Sequence, residues 1–297
     1  ITAGTGTVTL NGGEGNDTLV LGTTHSSSDS YDGGAGTDTA TLDVTTTIAP
    51  TLTNVEQATV GFTTGGAFNA GNSSSLTKIT IEEASDGTAA NATVINVPTG
   101  TQLVVTDSDA AADSDLAAIT FDSVAGASAT VSAQIATGSA LTVTDVASLT
   151  IDAESTGANA SFGSMVLDNT DTTAFTLTGA EGAYTLATGA ITNTDKVATI
   201  TGSTSTASGT ATLTSMADAD SLTSITITAV NANFTTGAIG TDNSTGDANG
   251  LDTITISASG GATATLGDTY GDGTDATNES DETTATITLT SDTSSTV

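Results

Sequence analysis

Leu222-Thr223-Ser224-Ile225-Thr226-Ile227 decides the fold, because the same phrase recurs along the chain: an apolar residue, two spacers, then Ile/Leu-Thr-Ile/Phe. Further copies run from Leu76 to Ile81, Leu116 to Phe121, Val146 to Ile151 and Leu251 to Ile256. Large apolar residues alternating with threonine give the period-two signature of a half-buried strand. Several copies lie thirty to forty residues apart, separated by loops rich in Gly, Asp, Asn and Ser. Such a phrase reads as the buried edge of one coil of a β-solenoid, in which stacked neighbours bury what a single coil cannot. A Thr-rich β-sandwich portion is the alternative that the same strands allow.

Outside these copies, β-branched or alternating runs continue from Thr7 to Leu10, Thr101 to Thr106, Leu141 to Thr144, Ala174 to Thr178, Val197 to Thr201 and Ala285 to Thr290. No long window places apolar residues at i, i+3, i+4 and i+7, so the expectation is an all-β chain of parallel β-roll or β-solenoid-like coils. Pro50 and Pro98 are the only prolines, which leaves acidic side chains or assembly to blunt any open strand edge. Glycine- and serine-rich sequence between residues 61 and 75 suggests a division into residues 1–60 and 61–297. A further sub-boundary is expected near 240–250.

The charge balance narrows the function. Against 34 acidic residues there are two basic ones, Lys78 and Lys196, giving a formal net charge of -32. Internal ion pairs can neutralise almost none of this, so the repulsion is relieved by distance, counter-ions or bound cations. Nucleic-acid binding, which draws its affinity from Lys and Arg on phosphates, is excluded, and so is electrostatic attraction to anionic membranes. No apolar run is long enough to span a membrane. The amino terminus lacks a signal-peptide pattern, so the chain is expected to be processed, a fragment, or exported by a route that reads no amino-terminal signal. With no cysteine, disulfides and thiolate metal sites are impossible, and any metal must be held by oxygen or by the one imidazole, which points toward hard cations.

Chemistry concentrates near the start of the chain. Gly12-Gly13-Glu14-Gly15-Asn16-Asp17-Thr18-Leu19-Val20 matches the calcium-binding nonapeptide G-G-x-G-x-D-x-U-x in full. Gly33-Gly34-Ala35-Gly36-Thr37-Asp38 matches through its aspartate and is followed by Ala40 where a larger apolar residue is usual. Glycines let the backbone adopt positive φ and turn carbonyl oxygens inward, while the aspartate adds a charged oxygen. The two glycine pairs are twenty-one residues apart, against about eighteen for an ideal coil of two nonapeptides, and an insertion within residues 23–29 is the expected cause. Calcium is therefore the expected ion, with Gly12, Gly13, Gly15, Asp17, Gly33, Gly34, Gly36 and Asp38 as its candidate site.

This segment resembles the repeats-in-toxin (RTX) class, and in particular the RTX-type surface-layer (S-layer) proteins of Gram-negative bacteria. The resemblance is strengthened by Leu52-Thr53-Asn54-Val55-Glu56-Gln57-Ala58-Thr59-Val60, similar to a phrase that follows the nonapeptides in those proteins. It implies a secreted, cell-surface structural subunit that self-assembles into a calcium-ordered lattice and leaves through a type I system. An extracellular filament or adhesin stalk, and the carboxy-terminal part of a secreted RTX hydrolase, are the other roles it allows. The long tandem array of a toxin is missing, as is any helical domain that would anchor a lattice to surface polysaccharide.

Two acidic loops are secondary candidates for calcium. One carries Asp107, Asp109, Asp113 and Asp115, and the other Asp268, Asp272 and Asp275, with Glu279, Asp281 and Glu282 following. Solvated loops are the competing reading. Catalysis finds no support: the single histidine, His25, is expected on an exposed loop, and no nucleophile elbow, P-loop or zinc-protease motif occurs. The chain has no Trp and 3% aromatic residues, which also argues against a sugar-binding platform.

Overall fold

The structure, a computed structural model, describes residues 6–23, 25, 28–62, 65–83, 90–107, 116–133, 140–153, 160–168, 172–179, 185–192, 194, 197–204, 210–216, 219, 221–240, 252–267, 269–270 and 286–297. Among these there is no helix, and the strands stack in parallel as a β-solenoid. The β-sandwich alternative has no antiparallel pair among the paired strands of the described residues. The chain forms two compact units, Ile1–Ser132 with Ser139–Val146, and Ala133–Gly138 with Ala147–Val297.

In the first unit, β1 (Thr9–Glu14), β3 (Ser30–Ala35) and β5 (Thr51–Thr53) form a three-stranded parallel sheet. Each continues through a turn into a strand of a second ladder: β2 (Thr18–Gly22), β4 (Thr39–Val44) and β6 (Gln57–Phe62). That ladder extends without a break past residue 60, as Gln57 pairs with Lys78 and Lys78 with Gln102. Parallel strands need a connection that returns the chain to the same end, and here the rest of the coil provides it. Inward positions stack Leu19 on Ala40, Ala58 and Ile79, all essentially without solvent exposure. Each large buried side chain contributes about 1.5–3 kcal/mol, available only when a neighbouring coil covers it. Ala40, short for its motif position, is a fully buried member of this column.

The second unit repeats the scheme with the phrase that opened the sequence reading. Ser148, Ala174, Thr199, Ser224, Thr253 and Thr286 are in register, and the apolar column beside them runs Leu149, Phe175, Ile200, Ile225, Ile254, Ile287. The outward column, Thr150, Thr176, Thr201, Thr226, Thr255 and Thr288, stacks threonine on threonine, at positions where β-branched residues are favoured. Threonines of the phrase tie neighbouring coils together: Thr223 Oγ1 donates to the Ala198 carbonyl at 3.1 Å, as Thr77 Oγ1 does to the Glu56 carbonyl in the first unit. Gly202 is required by packing, since a Cβ there would stand 2.2 Å from the buried Phe234 ring. Residues 241–251, where a sub-boundary was expected, lie outside the described residues.

Candidate metal centre

The two glycine-rich motifs form the turns between β1 and β2 and between β3 and β4, one directly above the other. Asn11 pairs with Asp32 and Gly13 with Gly34, so each motif glycine meets its counterpart on the next coil. Such close stacking excludes side chains. A Cβ on Gly34 would lie 2.1 Å from the Gly13 carbonyl oxygen, and its φ of 101° is in the left-handed region besides. Turn-to-turn hydrogen bonds then hold the coils together: the Gly15 amide donates to the Ala35 carbonyl at 2.7 Å and the Thr37 amide to Asn16 Oδ1 at 2.9 Å.

The motif aspartates point inward. Asp38 is fully buried; its Oδ1 accepts the Asp17 amide of the preceding coil at 2.7 Å, and its Oδ2 has no hydrogen-bond partner. Asp17 Oδ2 is likewise buried without a partner. Each of these oxygens lies near a motif glycine that a carbonyl oxygen of the next coil also approaches. The place a Cβ would take on Gly12 lies 2.8 Å from Asp17 Oδ2 and 2.2 Å from the Gly33 carbonyl oxygen. The corresponding place on Gly33 lies 2.6 Å from Asp38 Oδ2 and 2.0 Å from the Asn54 carbonyl oxygen. A buried carboxylate oxygen with no donor is unfavourable, and excluding water from it costs several kcal/mol.

Asp29 provides the internal contrast. It is 2% exposed, yet Oδ1 accepts the Val8 amide at 2.8 Å and Oδ2 the Tyr31 hydroxyl at 3.2 Å. Burial first, and then this neighbouring carboxylate, push the Tyr31 phenol above its ordinary value and keep it a donor. The same fold therefore satisfies one buried aspartate with its own donors and leaves an oxygen of each of two others without one. No Lys or Arg precedes Lys78 in the sequence, so no basic side chain of these coils can reach them.

A cation fits this donor set. Among the described residues no three acidic or imidazole side chains converge on one point, so a metal here would be held by carboxylate together with main-chain carbonyls. That is an all-oxygen environment suited to calcium and unsuited to zinc. Asp17 and Asp38 occupy equivalent places in the two stacked turns. Glu56 and Asn54, missing from the sequence-based candidates, join the same columns: Glu56 Oε2 accepts the Asp38 amide at 2.8 Å. The signal that could have found Glu56 is its spacing, eighteen residues after Asp38, the repeat the motif calls for.

Asp107 ends a strand, its main chain paired with Glu83. Asp109, Asp113, Asp115, Asp268, Asp272 and Asp275 lie outside the described residues, as do Glu279, Asp281 and Glu282. His25, expected on an exposed loop, is half-buried with Nδ1 enclosed and unpartnered; desolvation lowers its pKa, against opposing contributions from the Gly22 main chain, Asp29 and Asp43. Compared with known proteins, the chain matches no family model, no curated protein and no solved structure.

Proposed function

We propose that the chain is a structural, non-catalytic subunit of a calcium-dependent bacterial surface layer, self-assembling into an extracellular lattice. The observation that carries the calcium part is the pair of buried carboxylate oxygens, Asp17 Oδ2 and Asp38 Oδ2, neither of which has a hydrogen-bond partner, at turns where main-chain carbonyls of neighbouring coils also come close. Calcium at the stacked turns gives these oxygens a partner and locks neighbouring coils in register. Metal-linked folding of this kind suits a protein that must stay loose before export and become rigid outside the cell.

The assembly part rests on the resemblance to RTX-type surface-layer proteins and on the charge. With a net charge of -32, copies repel one another across most of their surfaces, so close packing requires divalent cations between acidic faces. Electron microscopy of purified protein with calcium, after chelation and after calcium is restored tests this reading. Ordered sheets that disperse and rebuild are expected. Sheets that survive the chelator would overturn the calcium dependence, and filaments in place of sheets would assign the chain to an adhesin-like or fibre-forming role.

A further inference from the structure

The third turn of the first unit, Asn54-Val55-Glu56, has none of the motif glycines, yet it occupies the same place in the stack as the two glycine-rich turns. Asp32 pairs with Thr53 and Thr39 with Gln57, so Asn54 stands under Gly33 and Glu56 under Asp38. Two features of the upper turns are reproduced there. The Asn54 carbonyl oxygen approaches the Gly33 Cβ position at 2.0 Å, as the Gly33 oxygen approaches that of Gly12 at 2.2 Å. The Glu56 carboxylate accepts the Asp38 amide at 2.8 Å, as Asp38 accepts that of Asp17 at 2.7 Å.

The shortened turn explains the residue types. From Gly33 to Asp38 the second turn spends three residues more than Asn54 to Glu56, and the step between acids falls from 21 to 18 residues. Glutamate, one methylene longer than aspartate, reaches the upper coil's amide from the tighter turn. Asn54 adopts the positive φ of 49° that glycine supplies above, and asparagine tolerates it better than most residues. Its Nδ2 donates to Asp32 Oδ1 at 2.9 Å, which fixes the turn to the coil above. One coil further on the column ends, as Thr77 follows Glu56 and donates both its amide and its hydroxyl to the Glu56 carbonyl.

We infer that Asn54 and Glu56 complete a second calcium site, between the second and third coils, with Asp38 supplying the shared carboxylate. The fully buried Asp38 Oδ2 has no partner and lies near Gly33, which the Asn54 carbonyl also approaches, while the Glu56 carboxylate is held at the Asp38 amide. The inference rests on the calcium reading of the glycine-rich turns and extends it to a turn without their motif.

Calcium binding to the full chain, counted by equilibrium dialysis, separates the two claims. Glu56→Gln keeps an oxygen for the Asp38 amide, and Glu56→Asp keeps the charge but draws it back; both are expected to bind one calcium fewer than the parent chain or to bind it at least tenfold more weakly. Asp17→Asn reports on the upper site and is expected to lose a different ion, so that Asp17→Asn with Glu56→Gln loses both. If Asp17→Asn loses an ion while both Glu56 variants keep the full complement and affinity, the third turn is not a ligand and the present inference is wrong. If Asp17→Asn also loses nothing, the calcium reading itself fails. Hydrogen exchange at the Asp38 amide in chelator, unchanged in Glu56→Gln, confirms that a lost ion reflects a lost ligand and not a lost fold; for a variant whose exchange rises, the Glu56→Asp count decides.

Discussion

Replacing Asp38 by asparagine should stabilise the metal-free protein and weaken the calcium-bound one. Asp38 is fully buried, Oδ1 is engaged by the Asp17 amide, and Oδ2 has no hydrogen-bond partner. Asparagine keeps Oδ1 for that amide and puts a neutral NH₂ group, a donor, in place of the unpartnered acceptor. Relieving a buried unsatisfied polar group returns about 1–3 kcal/mol, and more where the group is charged. Calcium stabilises whatever state binds it, by about 2.7 kcal/mol at a concentration one hundred times Kd, and the variant forfeits much of that gain. Hydrogen exchange at the Asp17 amide reads the local opening free energy of these coils, independently of the second unit. The variant should protect this amide better than the parent in chelator and worse in millimolar calcium. Asp38→Asn lowering protection by more than 1 kcal/mol in chelator would refute the reasoning, since it would mean that the carboxylate was already satisfied without metal.

Further outcomes follow from packing and protonation. Gly33→Ala brings a Cβ to 2.0 Å from the Asn54 carbonyl oxygen, and the backbone must move to admit it; a loss of about 1–3 kcal/mol is expected in hydrogen-exchange stability of the first unit, together with weaker calcium binding. Gly202→Ala drives a methyl group into the Phe234 ring, so a similar loss should appear in the second unit while calcium binding is unchanged. Burial disfavours protonated His25, so its contribution to stability is complete above its ordinary pKa of 6.5 and is lost as pH falls through the lowered folded value. Urea midpoints measured in chelator from pH 7.5 down to 5 should fall, and His25→Gln should flatten that slope.

Much of the fold was legible because the inward and outward faces use different residue types. Ile225 and Ile227 alternate with Thr226 and Thr228, and the same alternation in Thr253–Ser259 and Thr199–Thr204 marks stacked strands before any coordinates are known. Parallel register was harder to read, since it depends on coil length, and coil length varies: Thr173 bonds to Ala147 across 26 residues and Asp38 to Glu56 across 18. The glycine turns were legible from their motif. Glu56 was not, because its turn reaches the same place with three fewer residues and no glycine. The burial of His25 was hidden for a related reason: its neighbours in sequence are polar, while Asp43, which also acts on it, lies eighteen residues further on. The acidic loops after Thr106 and Gly267 drew attention by composition alone, and composition does not say whether carboxylates converge.

The central claim is that a hard cation sits at the stacked turns. Crystals grown in calcium, with anomalous scattering measured at long wavelength, test it most directly. The account predicts anomalous density beside Asp17 Oδ2 and the Gly33 carbonyl, with a second peak beside Asp38 Oδ2 and the Asn54 carbonyl. A structure in saturating calcium with both oxygens hydrogen-bonded to water, and no anomalous density at either turn, would contradict it.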